Sequence, residues 1–319
     1  MKNFAIKKVA QTLLLIVGVT FLLYFLTTSF SDNYTMNTSF LYPIKAAKHS
    51  ANFGISDNII VRYSSWMKGL LTGSFGNSTQ AGRVAVNKII GEAFVESGLM
   101  IIVSLILSVI ISVPMGIYIS VRSKSWLARL TKRLTTLGVS FPSFIIAFLS
   151  IFVFYILLDW LPMSGTYIST KEVGWLKQLW LESKHYILPL ISLVTGISCT
   201  LVLFLKTSLD QVLNTDYIRT ARAKGLSHLK VVFKHGFKNA AIPWITTLGL
   251  AIPILFSELL IIEEIFDIPG IGKNLLRALE HKDYPVVLGF SIVLSLIIII
   301  VNLIVELLYG WLNPKIRYE

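Results

Sequence analysis

Apolar residues in this chain come in long unbroken runs rather than in stripes. Six runs, over 9–27, 98–120, 134–158, 186–205, 240–262 and 285–311, are apolar around the whole circumference of a helix. A surface helix would instead show one apolar face. About 20 such residues suffice to cross a hydrocarbon layer of roughly 30 Å. The pattern therefore predicts an all-α integral membrane protein with six transmembrane helices. Lys2, Lys7 and Lys8 precede the first run, as in a signal peptide. That run is long and lacks a small-x-small cleavage site, so it is read as a retained span.

The polar segments between the runs carry weaker patterns. Within 28–97, the residues Ile59, Ile60, Tyr63, Trp66, Met67 and Leu70 fall at helical spacing. They predict a helix lying on the outer membrane interface, with Tyr63 and Trp66 as anchors. Gly73-Ser74-Phe75-Gly76-Asn77 predicts a turn. The first span and its loop (1–93) read as an appendage to a body at 94–311, with a short tail at 312–319. Pro114, Pro142, Pro189, Pro243 and Pro253 punctuate the later spans, each removing a backbone donor. Ordinary packing accounts for any one of them; five in four helices lean toward a bundle that bends around a pathway.

Composition agrees with the pattern. Of 319 residues 54% are hydrophobic and 14% charged, with a mean hydropathy of +0.71. Soluble domains carry roughly 25% charged residues. The net charge of +12 would suit a nucleic-acid partner, but its placement points elsewhere. The N-terminal tail, 121–133, 206–239 and the C-terminal tail together hold seventeen basic residues against three acidic ones. The alternating segments 28–97, 159–185 and 263–284 hold twelve of each. Basic-rich short loops lie on the cytoplasmic side, which places both termini there. The segment 28–97 is too long to vote, and the short loops decide without it. The single cysteine, Cys199, excludes a disulfide framework and a Cys-rich metal site.

Enzymatic chemistry finds little support. There is no Gly-x-x-x-x-Gly-Lys-Ser/Thr phosphate loop, no His-Glu-x-x-His and no Gly-x-Ser-x-Gly, so neither an enzyme nor a resident cofactor is expected. His281 beside Glu280 and Asp283 is read as an exposed polar loop rather than a metal site. Only Glu258 and Glu306 are ionisable inside the runs. A charge in midmembrane costs about 2.5–3.5 kcal/mol or more and tends to be functional, as in an ion-coupled secondary transporter. Glu306 lies close enough to the cytoplasmic end to reach headgroups. Glu258, about one turn from the outer end of its span, either reaches the outer interface or faces a wet pathway.

The most informative segment joins the fourth and fifth runs, NTDYIRTARAKGLSHLKVVFKHGFKNAAIP. Thr215 or Asp216 suits a helix start and Gly225 a left-handed helix end, with about two turns between them. Ser227 opens a second helix toward Pro243. A short helix held between two spans is suited to push on a cytosolic partner. The small residues Ala221, Ala223 and Gly225 would let it sit in a groove, with Arg219, Arg222 and Lys224 reaching acidic rims. A solvated basic loop on anionic lipid is the competing reading.

This segment resembles the coupling loop of ABC importer permeases, whose Glu-Ala-Ala-x-x-x-Gly pattern falls here on Arg219, Thr220, Ala221 and Gly225. With the Glu and first Ala replaced, it is similar to the B-type dipeptide, oligopeptide and nickel permeases, as are His235, Asn239, Ala240 and Pro243. VRYSSWMKGLLTGSFGNS at 61–78, EEIFDIPGIGKNLLRALEHKDYPVVLG at 263–289 and LNPKIR at 312–317 extend the resemblance in the right order. TTSFSDNYTMNTS after the first span and Phe94-Val95-Glu96-Ser97-Gly98 depart from it. The resemblance implies a type I permease fold, with Asp216, Tyr217, Ile218, Arg219, Thr220, Ala221, Arg222, Ala223, Lys224, Gly225 and Leu226 coupling to ATPases. It also implies a second permease subunit, two cytosolic ATPase subunits that hold ATP and Mg, and an external solute-binding protein. The expected cargo is an oligopeptide or dipeptide, with nickel or a metal chelate as the alternative. A purely structural membrane scaffold is the third class, disfavoured by the ordered coupling-loop pattern.

Overall fold

An apolar segment in lipid must satisfy its own backbone polar groups, and a helix does so within one segment. The described residues of this computed structural model, 2–30, 59–80, 84–163 and 174–312, are accordingly almost all helical. In chain order the helices are α1 (Lys2–Phe30), α2 (Ile59–Leu71), α3 (Val86–Val121), α4 (Trp126–Ser140), α5 (Ser143–Leu157), α6 (Trp175–Leu213), α7 (Asp216–Ala223), α8 (His228–Ile265), α9 (Ile271–Glu280) and α10 (Tyr284–Leu312). Five of them, α1, α3, α6, α8 and α10, are long and apolar enough to cross a membrane; α4 and α5 pass the same test only when taken together, across a sharp bend. Residues 31–58 and 81–83 of the segment 28–97, and all but Leu312 of the motif at 312–317, fall outside the described residues.

The third run corrects the expectation of one helix over 134–158. There α4 and α5 meet at 107°. Phe141 is extended, with φ −91° and ψ 123°, the conformation that a following proline imposes. Pro142 then has no N–H with which to continue the ladder. Helix α4 also begins at Trp126, inside a segment read as a loop. Two other helices outrun their apolar cores: α3 starts at Val86, and α6 starts at Trp175. The 39 residues of α6 extend about 58 Å at 1.5 Å per residue.

The chain divides into two compact units. In the unit formed by Leu99–Ile268 with the residues from Ile304 onward, α6 is the buried axis. Its Leu188, Leu193, Leu201, Leu205 and Leu209 are fully buried, and α4, α5 and α8 pack around it. Close approach replaces side-chain bulk at two crossings. A Cβ on Gly138 would lie 2.5 Å from the Cys199 Sγ, and one on Gly249 only 2.2 Å from a Val305 methyl. Near the end of α6, Lys206 pairs with Asp210 at 2.7 Å, and the Ser120 hydroxyl donates to the same carboxylate.

The unit formed by residues 2–98 and Pro269–Leu303 corrects two expectations. Helix α2 does not present its aromatic residues as interfacial anchors: Trp66 is only 4% exposed, packed with Tyr24, Leu288 and Ile292. Tyr63 shares a 2.8 Å hydrogen bond with the Thr20 hydroxyl of α1. The segment at 280–283 is not uniformly exposed either. Glu280 and His281 are exposed, but Asp283 is buried. It accepts hydrogen bonds from the Ser78 hydroxyl and from the Thr79 backbone and hydroxyl. The turn before Ser78 is formed as the sequence predicts, with Gly73 and Gly76 at positive φ.

Candidate functional site

Helix α7 is set between α6 and α8 by local chemistry that is readable residue by residue. Thr215 precedes it with an extended backbone, φ −77° and ψ 158°. Its hydroxyl donates back to the Val212 carbonyl at 2.6 Å instead of capping α7. Asp216 supplies the negative charge favoured in a first turn and makes an exposed pair with Arg219 at 3.2 Å. The other end is a complete Schellman closure. Gly225 N–H donates to the Arg222 carbonyl at 3.0 Å and Leu226 N–H to the Ala221 carbonyl at 3.4 Å, with Gly225 at φ +75°. Leu226 folds back onto the helix, the apolar contact that accompanies this motif.

That closure fixes which face of α7 looks out. Ile218 and Ala221 are buried against Val231, with Val212, Leu213 and Leu226 around them. Tyr217, Arg219, Arg222 and Lys224 are exposed, as are the smaller Asp216, Thr220, Ala223 and Gly225. Ala221 therefore packs on the chain itself and is not among the small residues offered outward. Ala223 and Gly225 are.

The structure adds a tie that sequence reasoning missed. The Asn239 amide donates to the Tyr217 hydroxyl at 3.0 Å and to the His235 carbonyl at 3.0 Å. No local spacing rule links residues 22 positions apart. The intervening stretch is also unusual: Val231–Phe237 is a π-helical segment that runs into the straight part of α8 at Lys238. Such segments recur at functional sites. Here Gly236 lets α8 approach α6, since a Cβ there would meet Leu213 at 3.1 Å and Leu209 at 3.2 Å.

Glu258 lies well along α8, half-buried, at a cavity of about 460 Å³. Its Oε2 is buried without a hydrogen-bond partner among the described residues. Among the described residues no group of three or more His, Cys, Asp or Glu side chains is placed to hold a metal ion.

Residues 112–318, which include α7 and this cavity, match the binding-protein-dependent transport system inner membrane components. The chain belongs to that family. It is a permease subunit of an ABC importer, and its multiple spanning helices are those of a multi-pass membrane protein. Over 266 residues the permease is 34% identical to the glutathione transport system permease protein GsiC of Salmonella typhimurium, covering 83% of this chain and 82% of that one. GsiC of Escherichia coli and of Salmonella typhi match at the same identity and coverage.

Proposed function

We propose that this permease forms half of a translocation pathway for short peptides, driven by separate ATPase subunits that press on α7. The observation that carries the reading is the construction of α7. Its inner face is fixed by Ile218 and Ala221, its end is closed by Gly225, and its outward face presents arginines, a lysine and a tyrosine. A short rigid element with a basic exposed face, rooted in two long helices, suits contact with an acidic groove on a cytosolic partner. The peptide class is supported by likeness to permeases named for glutathione, itself a tripeptide.

The family and the charge pattern support the remaining parts of this reading. A second permease subunit completes the pathway, two ATPase subunits bind ATP on the side of the basic loops, and a solute-binding protein delivers cargo on the other side. The chain's termini and α7 lie on the cytoplasmic side. Closure of the ATPases moves α7 and rocks the bundle from inward-open to outward-open.

Two measurements test this reading. Cells expressing the chain with its partners should take up radiolabelled trialanine, and deletion of the chain should abolish that uptake. Ala223→Cys, in a Cys199→Ser background, should cross-link to a co-purifying ATPase subunit. Uptake independent of the chain would remove the peptide reading, and cross-linking only to lipid-facing or external proteins would remove the coupling reading.

A further inference from the structure

We propose that the cavity beside Glu258 is a groove for the charged end of the solute, and that it takes an extended organic molecule bearing a primary ammonium group. The proposal rests on the importer reading for placing this groove in the pathway. It adds what the groove recognises.

Two helices supply one face each. On α8, the lining residues Thr247, Leu250, Ala251, Ile254 and Glu258 fall at steps of three and four, which keeps them in one file along a helix. From Thr247 to Glu258 that file runs about 16 Å. On α6, the lining residues Gly196, Thr200 and Phe204 recur every fourth position. The bend at Pro142 borders the same space. The cavity's volume of about 460 Å³ lies within the roughly 300–1,000 Å³ of small-molecule sites. A length of about 16 Å holds roughly four residues of extended chain.

The chemistry of the walls narrows the occupant. Among the described residues Glu258 is the one ionisable group lining the groove, set among apolar side chains and a few hydroxyls. One of its oxygens is buried with no hydrogen-bond partner among the described residues. An ionised carboxylate in such surroundings is costly unless a cation meets it. A hard metal ion demands six or more oxygen ligands, or several with retained water, and the groove offers one carboxylate. An ammonium group can donate one N–H to the unpaired oxygen and turn its other two toward the Ser140, Thr200 and Thr247 hydroxyls of the lining or toward water. The apolar file from Leu250 to Ile254 then accommodates the remainder of the molecule.

The test reads the groove itself, in the full chain in native membranes. In a Cys199→Ser background, Thr200→Cys places a thiol in the groove. Its modification rate is measured with a cationic and an anionic methanethiosulfonate of similar size, with Glu258 present and with Glu258→Gln. The cationic reagent should react faster, and the ratio of the two rates should fall about tenfold in Glu258→Gln, as removal of a charge in a poorly screened site requires. Trialanine added beforehand should slow modification, and N-acetyl-trialanine should protect at least about tenfold less. Thr247→Cys repeats the measurement should Thr200→Cys fail to accumulate. A rate ratio unchanged by Glu258→Gln, absence of modification at both thiols, or equal protection by the two peptides would each overturn the proposal. Trialanine uptake that still depends on the chain would then show that the importer reading survives alone.

Discussion

The Asn239 side chain holds the Tyr217 hydroxyl at 3.0 Å, so the exposed face of α7 is fastened to the beginning of the straight part of α8. A hydrogen bond of this kind contributes about 0.5–1.5 kcal/mol net. Tyr217→Phe removes it while keeping the ring. Amide hydrogen exchange across 216–224 should then rise roughly two- to tenfold, because local opening follows local stability. Stimulated ATPase in the assembled transporter should fall with it. Exchange equal to that of the parent would show that the tie does not hold α7 in place.

Gly225 offers a sharper test of the same element. At φ +75° a β-branched residue is strained by about 1–3 kcal/mol, and the Schellman closure is lost. Gly225→Val should leave the chain in the membrane and abolish uptake. Gly225→Asn, which tolerates a left-handed backbone, should retain most of it. A Cβ at this position meets nothing within 4 Å, so the difference between the two variants reports backbone geometry. Equal uptake by both would detach function from the closure.

These two residues also mark where the sequence is readable. Gly225 announces itself, because a glycine after two turns of polar helix has one local use. The turn at Gly73 and Gly76 is legible for the same reason. Tyr217 and Asn239 do not announce each other, since their contact depends on how a π-helical segment returns the chain beside α7. Hydropathy likewise finds the part of α6 that suits lipid and misses its extension to Trp175, where the helix continues with polar residues among tryptophans. The break at Phe141-Pro142 was foreshadowed only as a kink; a proline's presence does not give the angle. Trp66 looked interfacial because its cover, Tyr24, lies far away in sequence and long-range packing leaves no periodic trace.

The crossing of α8 with α10 depends on Gly249. Because a Cβ there would lie 2.2 Å from Val305, Gly249→Leu should cost about 1–3 kcal/mol by overpacking. The melting temperature of the purified chain in detergent should drop by several degrees. Gly91→Ala, at a helical site with no atom within 4 Å of the new methyl, should instead gain about 0.5–1 kcal/mol. Similar melting for both variants would mean that this crossing is not close-packed in the protein.

Orientation is open to direct labelling. In a Cys199→Ser background, cysteines at Ser123 and Ser227 should react in intact cells only with membrane-permeant maleimides. One at Lys177, in the first turn of α6, should react with impermeant ones. Labelling of Ser227→Cys from outside would invert the orientation derived from the basic loops.

Helix α6 carries two duties on one piece of backbone. Its Leu209 and Leu213 touch Gly236, and its Val212 and Leu213 pack against the inner face of α7. Its Gly196, Thr200 and Phe204 wall the groove about one and a half turns and more away. Its proline, Pro189, lies before both stretches, so no break in the hydrogen-bond ladder separates them. A rod without a joint cannot absorb displacement along its length. On the proposed coupling, a tilt at the footing of α7 would change the width of the groove in the same stroke, and the break before α5 and the π-helical segment of α8 would be the places where the bundle yields.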